Sequence, residues 1–66
     1  MKKLHFIGVD SWDRPVYKDE SGTVWKDVNL GKGNLSLHSS VDNDFDGEPD
    51  MPLRGEYEII KNYRGV

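Results

Sequence analysis

Segment 16–28 constrains the fold of this chain more than any other, because it reads as two short strands around a tight turn, Glu20-Ser21-Gly22. Both arms are rich in β-branched and aromatic side chains. If Gly22 takes the positive φ required at the last position of a three-residue turn, Tyr17 lies opposite Trp25. A four-residue turn would instead pair Val16 with Trp25. We expect a β-hairpin at 16–28 in the first register.

Composition favours sheet over helix and one domain over several. The 66 residues include seven glycines and three prolines but no alanine, the best helix former. A chain of this length supports one core, so we expect a single domain over 1–66. The absence of cysteine excludes disulfides and thiolate metal sites and favours a reducing cytoplasm. No apolar run is long enough for a membrane span or a signal-peptide core, so we expect a soluble, unprocessed protein without a membrane partner.

Three further segments have strand-like patterns. Residues 4–10 predict a first strand, with Phe6 and either Leu4 or Ile7 facing inward and Gly8 marking a bulge. The residues that follow, up to the first proline, predict a connection.

The other two strand-like segments lie in the second half of the chain. Residues 35–39 alternate apolar and polar, with Leu35 and Leu37 inward. Residues 56–63 predict another strand, although their apolar side chains also recur at near-helical spacing, so a short helix stays an alternative. We therefore expect an all-β or β-dominated α+β fold, with a small antiparallel sheet of about four strands built around the hairpin at 16–28.

Residues 42–53 are polar, acidic and interrupted by prolines, and they predict a surface loop anchored by Phe45 and Met51. Residues 42–47 match the first half of a calcium loop, with acids at positions 1, 3 and 5 and glycine at position 6. The second half is missing, because Leu53 stands where a bidentate glutamate is needed and the prolines forbid the exiting helix. We favour a solvated loop and keep divalent-cation (calcium) binding by the acidic segment 42–50 as the alternative. Its ligands would be Asp42, Asp44, Asp46 and Asp50.

The sequence carries no signature of catalysis or of nucleic-acid binding. The net charge is −3, and the lysines and arginines are scattered rather than gathered in the dense stripe that phosphate binding needs. His5 and His38 are the only imidazoles, and the serines next to His38 would point to alternate faces of a strand. We expect no enzyme activity and no cofactor.

Large aromatic side chains are the strongest candidates for a binding surface, because such rings dominate interface energetics. We expect the contact face to include whichever of Trp12, Tyr17 and Trp25 is exposed, with Arg14 and Lys18 on its rim. The alternative is that these rings form the core. A homodimer through an exposed sheet edge also stays open.

Three strings of sequence resemble a known family: Trp12–Lys18 (WDRPVYK), 26–31 (KDVNLG) and 45–53 (FDGEPDMPL). With Gly22, they belong to a similarity that extends over most of residues 10–53, and they resemble the large polyvalent protein-associated domains. These short, uncharacterised bacterial domains occur free-standing or within long phage and mobile-element polypeptides. The resemblance implies an accessory role without defined catalytic residues, and it suggests a structural turn at 46–50. We therefore expect a non-catalytic accessory or protein-interaction module whose partner is another protein.

Overall fold

The computed structural model describes residues 1–30 and 32–60 of the chain, and strands dominate this part, which contains no α-helix. A short turn, Val41–Asn43, lies between the fourth and fifth strands, with Asp42 and Asn43 in the left-handed region of backbone conformation. The six strands are β1 (Lys2–Val9), β2 (Pro15–Asp19), β3 (Val24–Asp27), β4 (Leu37–Ser40), β5 (Pro49–Pro52) and β6 (Tyr57–Ile60). They form one mixed sheet in the order β5-β4-β3-β2-β1-β6. The predicted β-dominated fold is confirmed, with more strands than expected.

The first five strands form an antiparallel meander, in which each strand pairs with the next one along the chain. The last strand, β6, lies at the opposite edge of the sheet from β5 and pairs in parallel with β1. In that pair Leu4 lies beside Ile59. The sheet is therefore mixed rather than purely antiparallel.

The short connection from β5 to β6 requires the sheet to curl. Pro52 and Tyr57 are five residues apart, which an extended chain spans in at most about 18 Å. In a flat sheet, β5 and β6 would be separated by five inter-strand spacings, about 24 Å. The connection crosses the core face, since Leu53 packs against the core and its amide donates to the Leu37 carbonyl oxygen at 2.8 Å. The strands thus curl around the core.

The core lies on one face of this curled sheet. Leu4 is completely buried, and Trp25 and Leu37 are nearly so. Partly buried side chains surround these three: Tyr17, Leu35, Leu53, Tyr57 and Ile59. The cross-strand pair of Tyr17 and Trp25 contributes two large rings, as the period of two in the hairpin predicts.

The opposite face is covered by the β4–β5 loop, residues 41–48. The side chain of Asn43 accepts a hydrogen bond from the Val24 amide at 2.7 Å and donates one to the Gly22 carbonyl oxygen at 2.8 Å. The Phe45 ring lies against Gly8, where a Cβ atom would be 3.2 Å from the ring. Because of this cover, all four residues of β3 are buried, although only every second one faces the core.

The predicted hairpin is confirmed in its details. Tyr17 pairs with Trp25, the Gly22 amide donates to the Asp19 carbonyl oxygen, and Gly22 has a φ of +91°. The bulge at Gly8 is also confirmed by a register shift between Phe6 and Gly8.

Other strand predictions are confirmed in part. Leu4 faces inward, whereas Phe6 lies on the core side but remains 55% exposed. The predicted strand at 35–39 is present as β4, two residues later at its start. The strand at 56–63 is present as β6 rather than a helix, and its last three residues, 61–63, lie outside the described part of the chain.

The prediction of a surface loop over 42–53 is wrong in its second half. Pro49 and Pro52 bound the edge strand β5, a position where proline is tolerated because one side of the strand needs no hydrogen-bond donor. Met51 lies on this strand and is 59% exposed, so it is not an anchor.

Candidate functional site

The turn between β1 and β2, residues 10–14, is fixed by one buried carboxylate, and we refer to it as the Trp12 turn. Asp10 Oδ1 accepts hydrogen bonds from the amides of Trp12 at 2.8 Å and Arg14 at 2.9 Å. The backbone closes the same turn, because the Asp13 amide donates to the Asp10 carbonyl oxygen and the Asp10 amide to the Arg14 carbonyl oxygen, both at 3.0 Å. Asp13 lies at a φ of +65°, in the left-handed region. Four hydrogen bonds therefore hold a turn of five residues.

The other oxygen of Asp10 forms an ion pair under the β4–β5 loop. Lys26 is completely buried, and its Nζ donates to Asp10 Oδ2 at 2.6 Å and to the Phe45 carbonyl oxygen at 2.5 Å. Burial raises the pKa of Asp10, but the hydrogen bonds from Lys26 and from the Arg14 and Trp12 amides outweigh it and hold that pKa below its ordinary value. The carboxylate is therefore charged at neutral pH and joins β1, β3 and the loop.

Trp12 itself projects from this fixed turn and is 64% exposed. The Arg14 guanidinium carbon lies 5.7 Å from the centre of its ring, a cation–π contact, and a guanidinium nitrogen lies 3.5 Å from Asp10 Oδ2. Val9, one residue before the turn, is half exposed. A large ring thus lies in solvent on a turn with little conformational freedom.

The Trp12 turn also contacts the acidic segment. Asp46 Oδ1 accepts hydrogen bonds from the Ser11 amide at 3.1 Å and the Ser11 hydroxyl at 3.2 Å. All four acids of the β4–β5 loop are exposed: Asp42, Asp44, Asp46 and Glu48. Aromatic and acidic side chains therefore share one corner of the molecule.

Within residues 1–30 and 32–60, no three carboxylates or imidazoles come together as a metal site would require. One of the four ligands in the calcium alternative, Asp46, accepts hydrogen bonds from Ser11, and another, Asp50, lies on β5 rather than in the loop with Asp42 and Asp44. Calcium binding by the acidic segment stays an alternative prediction.

The other three predicted contact residues lie away from Trp12. Trp25 is 8% exposed in the core, and Tyr17 is half-buried beside it. The rings of Tyr17 and Phe6 form a T-shaped pair, with 5.7 Å between their centroids. Burial, together with the nearby charges of Asp27 and Tyr57, raises the pKa of Tyr17. Lys18 is exposed, but adjacent residues of a strand point to opposite faces, so it does not share a surface with Tyr17.

A second carboxylate, Asp19, is buried in the core hairpin. Its Oδ1 accepts hydrogen bonds from the amides of Ser21 and Thr23, each at 2.9 Å, and its Oδ2 accepts one from the Trp25 indole at 3.1 Å. Burial raises the pKa of Asp19, but the Trp25 indole and the turn amides outweigh it, so the pKa lies below its ordinary value. The Lys2 ammonium is 3.9 Å away.

Sequence reasoning did not identify Asp10, Asp19 or Lys26 as structural residues. The available signal was an aspartate at the end of a predicted strand, directly before a short turn, since aspartate side chains bind the amides of following residues. Asp27 is a third such aspartate, at the end of β3, where its Oδ1 accepts hydrogen bonds from the Asn29 amide at 2.9 Å and the Ser36 amide at 3.1 Å. Lys26 gave no such signal, because lysine is seldom buried.

Comparison of the chain with protein-family models, with curated proteins and with solved structures finds no match. The resemblance to the large polyvalent protein-associated domains therefore stays a prediction. Among the described residues, no helix is long and apolar enough to span a membrane.

Proposed function

We propose that this protein is a small non-catalytic module that binds another protein through the Trp12 turn. The observation that carries the proposal is the exposure of Trp12, at 64%, on a turn whose backbone is fixed by the Asp10 carboxylate. A tryptophan gives up a large apolar area when a partner covers it, and tryptophans are enriched among the residues that dominate binding energy.

The rigidity of the turn supports the same function. Binding costs free energy when a flexible loop must be ordered, and this cost falls when the loop already has its bound shape. The hydrogen bonds to Asp10 and the buried Lys26 beneath it order the turn before any partner arrives.

The burial of Asp10 and Asp19 supports the non-catalytic part of the proposal. The side chains of Asp10 and Asp19 are out of solvent and occupied by turn amides, a lysine and an indole. A general base must reach a substrate proton, which these two carboxylates cannot do in this structure. The proposal places the module in a reducing cytoplasm, consistent with the lack of cysteine, as an accessory domain of a bacterial mobile element.

Photo-cross-linking at equivalent positions of two turns tests the proposal. A benzophenone amino acid, which keeps a large aromatic side chain at the position, replaces Trp12 in one variant and Ser21, the middle residue of the turn between β2 and β3, in a matched control. We expect a specific adduct from position 12 in cells of the source organism and none from position 21. The captured protein is then purified, and its affinity is measured by calorimetry.

The affinity measurement decides the outcome. We expect Trp12→Ala to weaken binding of the purified partner by at least about thirtyfold, equivalent to about 2 kcal/mol for a dominant contact residue. Ser21→Ala should leave the affinity unchanged. Equal affinities of the Trp12→Ala and wild-type proteins, or adducts of equal yield from both positions, would contradict the proposal.

A further inference from the structure

We infer that the segment bound by the Trp12 turn is a basic stretch of a partner protein, lying across the junction of that turn and the β4–β5 loop. This inference rests on the proposed function and adds the chemistry of the partner. It depends on three observations: the two elements are joined, the acids of the loop form no ion pair with the described residues, and the neighbouring ring already contacts a guanidinium group.

Asp46 joins the two elements into one surface. Its carboxylate accepts hydrogen bonds from the amide and the hydroxyl of Ser11, the residue directly before Trp12. Lys26 makes a second link beneath, since it bonds both Asp10 of the turn and the Phe45 carbonyl oxygen of the loop. A ligand that covers Trp12 therefore lies beside the acidic loop.

Among residues 1–30 and 32–60, no lysine or arginine pairs with the acids of the β4–β5 loop. In the part of the chain that the structure describes, the ion pairs join Lys2 to Asp19 and both Arg14 and Lys26 to Asp10. The four acids of the β4–β5 loop take part in none of them, and the loop contains no lysine or arginine. A positively charged segment would supply the complementary potential, which steers association and selects partners.

The Trp12 ring adds an anchor suited to the same partner. Arg14 lies over it at 5.7 Å, so the electrostatics of the ring accommodate a guanidinium group. A basic segment with an apolar or arginine side chain can cover the ring while its other cations face the loop. An acidic segment would meet like charges there, which is unfavourable.

Three peptides of one scaffold, built on leucine and tyrosine, test the charge preference. They differ only at four positions, which carry arginine, glutamine or glutamate. Binding to the full chain is followed in NMR spectra by the signal of the Trp12 indole N–H group, which is assigned with the Trp12→Phe variant. We expect the arginine peptide to shift this signal and to bind at least about tenfold more tightly than the glutamine peptide, with weaker binding as salt rises from about 50 to about 300 mM.

Two triple variants with the same change in net charge separate the loop from general electrostatics. Asp42→Asn, Asp44→Asn and Glu48→Gln neutralise the loop but keep Asp46, while Glu20→Gln, Glu56→Gln and Glu58→Gln neutralise exposed acids elsewhere. We expect the loop variant to lose about tenfold in affinity for the arginine peptide and the control less than about twofold. Far-ultraviolet circular dichroism confirms that both variants are folded.

Each other outcome overturns the inference in a recognisable way. If the glutamine or glutamate peptide shifts the Trp12 signal as strongly as the arginine peptide, the charge preference is wrong while Trp12 remains a binding residue. If the arginine peptide binds without moving that signal, or if none of the peptides binds at millimolar concentration, the proposed surface is wrong. A Trp12 shift on concentrating the protein alone would show that a second copy occupies the surface.

Discussion

Two turns of this protein have the same five-residue structure but display different side chains. In both the Trp12 turn (10–14) and the turn 19–23, the first residue is a buried aspartate whose Oδ1 accepts hydrogen bonds from the amides two and four residues on. In both, the fourth residue has positive φ and its amide donates to the carbonyl oxygen of that aspartate. The same local chemistry therefore closes two successive hairpins of the meander.

The two turns differ in what the second carboxylate oxygen binds and in what the turn displays. Asp10 binds the buried Lys26, whereas Asp19 binds the Trp25 indole. The middle residue is the exposed Trp12 in the first turn and Ser21 in the second. The same turn structure therefore stabilises the fold in both places. In 19–23 it does only that, whereas in 10–14 it also presents an aromatic ring to solvent.

The largest expected difference between the turns is in stability. Asp10→Asn keeps the acceptor for the turn amides but leaves Lys26 as a buried charge without its counter-ion, which costs about 3–5 kcal/mol. Asp19→Asn weakens hydrogen bonds to an indole and two amides and costs about 1–3 kcal/mol. Urea unfolding monitored by the fluorescence of Trp25 measures both. A domain of this size is stable by only about 3–10 kcal/mol, so Asp10→Asn should unfold much of the population.

A double variant serves as the control for this comparison. Combining Asp10→Asn with Lys26→Met removes the unpaired charge, and we expect it to recover most of the stability lost in the single variant. Equal costs of Asp10→Asn and Asp19→Asn would show that the two turns are energetically alike and would refute the role assigned to Lys26.

Acid provides the next test of the comparison, because both carboxylates have lowered pKa values in the folded state. A lowered folded-state pKa contributes stability that is fully present above the unfolded value, about 3.9 for aspartate, and is lost as pH falls through the folded value. We expect the urea midpoint to stay nearly constant from pH 7 to about 5 and to fall below about pH 4. The Asp19→Asn variant should show a shallower fall; an unchanged acid limb would contradict the contribution of that carboxylate.

The hairpin at 16–28 could be predicted from the sequence, whereas the pairing of segments that lie far apart along the chain could not. The pairing of Tyr17 with Trp25 was predictable because Gly22 and alternating side chains specify it within a few residues. The parallel pairing of β1 with β6 was not, since it joins the two ends of the described chain and no local pattern encodes it. The edge strand β5 was hidden because Pro49 and Pro52 resemble loop residues.

The candidate site, too, could be predicted only in part from the sequence. Trp12 and Arg14 were identified because aromatic and arginine side chains favour interfaces, and the structure brings them together. The buried pair of Lys26 and Asp10 was missed, since its members are sixteen residues apart and charged side chains normally lie in solvent. The β4–β5 loop makes that face an interior one, since the Phe45 ring lies against Gly8 of β1 and the Phe45 carbonyl oxygen accepts a hydrogen bond from Lys26 of β3.

A smaller effect is expected when the fourth residues of the two turns are exchanged. Gly22 has a φ of +91°, and a Cβ atom there would meet nothing within 4 Å, so Gly22→Asp costs only backbone strain, about 1–2 kcal/mol. Asp13 lies at +65°, close to the left-handed minimum that aspartate tolerates. Asp13→Gly relieves little strain and adds freedom to the unfolded chain, so it should change stability by no more than about 0.5 kcal/mol. Urea midpoints measure both; equal and large costs would mean that Asp13 has a further role in the turn.

The smallest expected effect on stability is that of replacing Trp12, the residue proposed to bind a partner. Trp12→Ala removes a side chain that is mostly in solvent and one exposed contact with Arg14, so the free energy of unfolding should fall by no more than about 0.5 kcal/mol. Trp25→Ala, which leaves a cavity in the core, should cost about 3–5 kcal/mol and calibrates the comparison, with urea unfolding of both variants followed by circular dichroism. A loss at position 12 near that of Trp25 would mean that the ring stabilises the fold. A negligible loss would mean that stability does not explain the tryptophan at position 12, since Ser21 occupies the same position of the second turn without an aromatic ring.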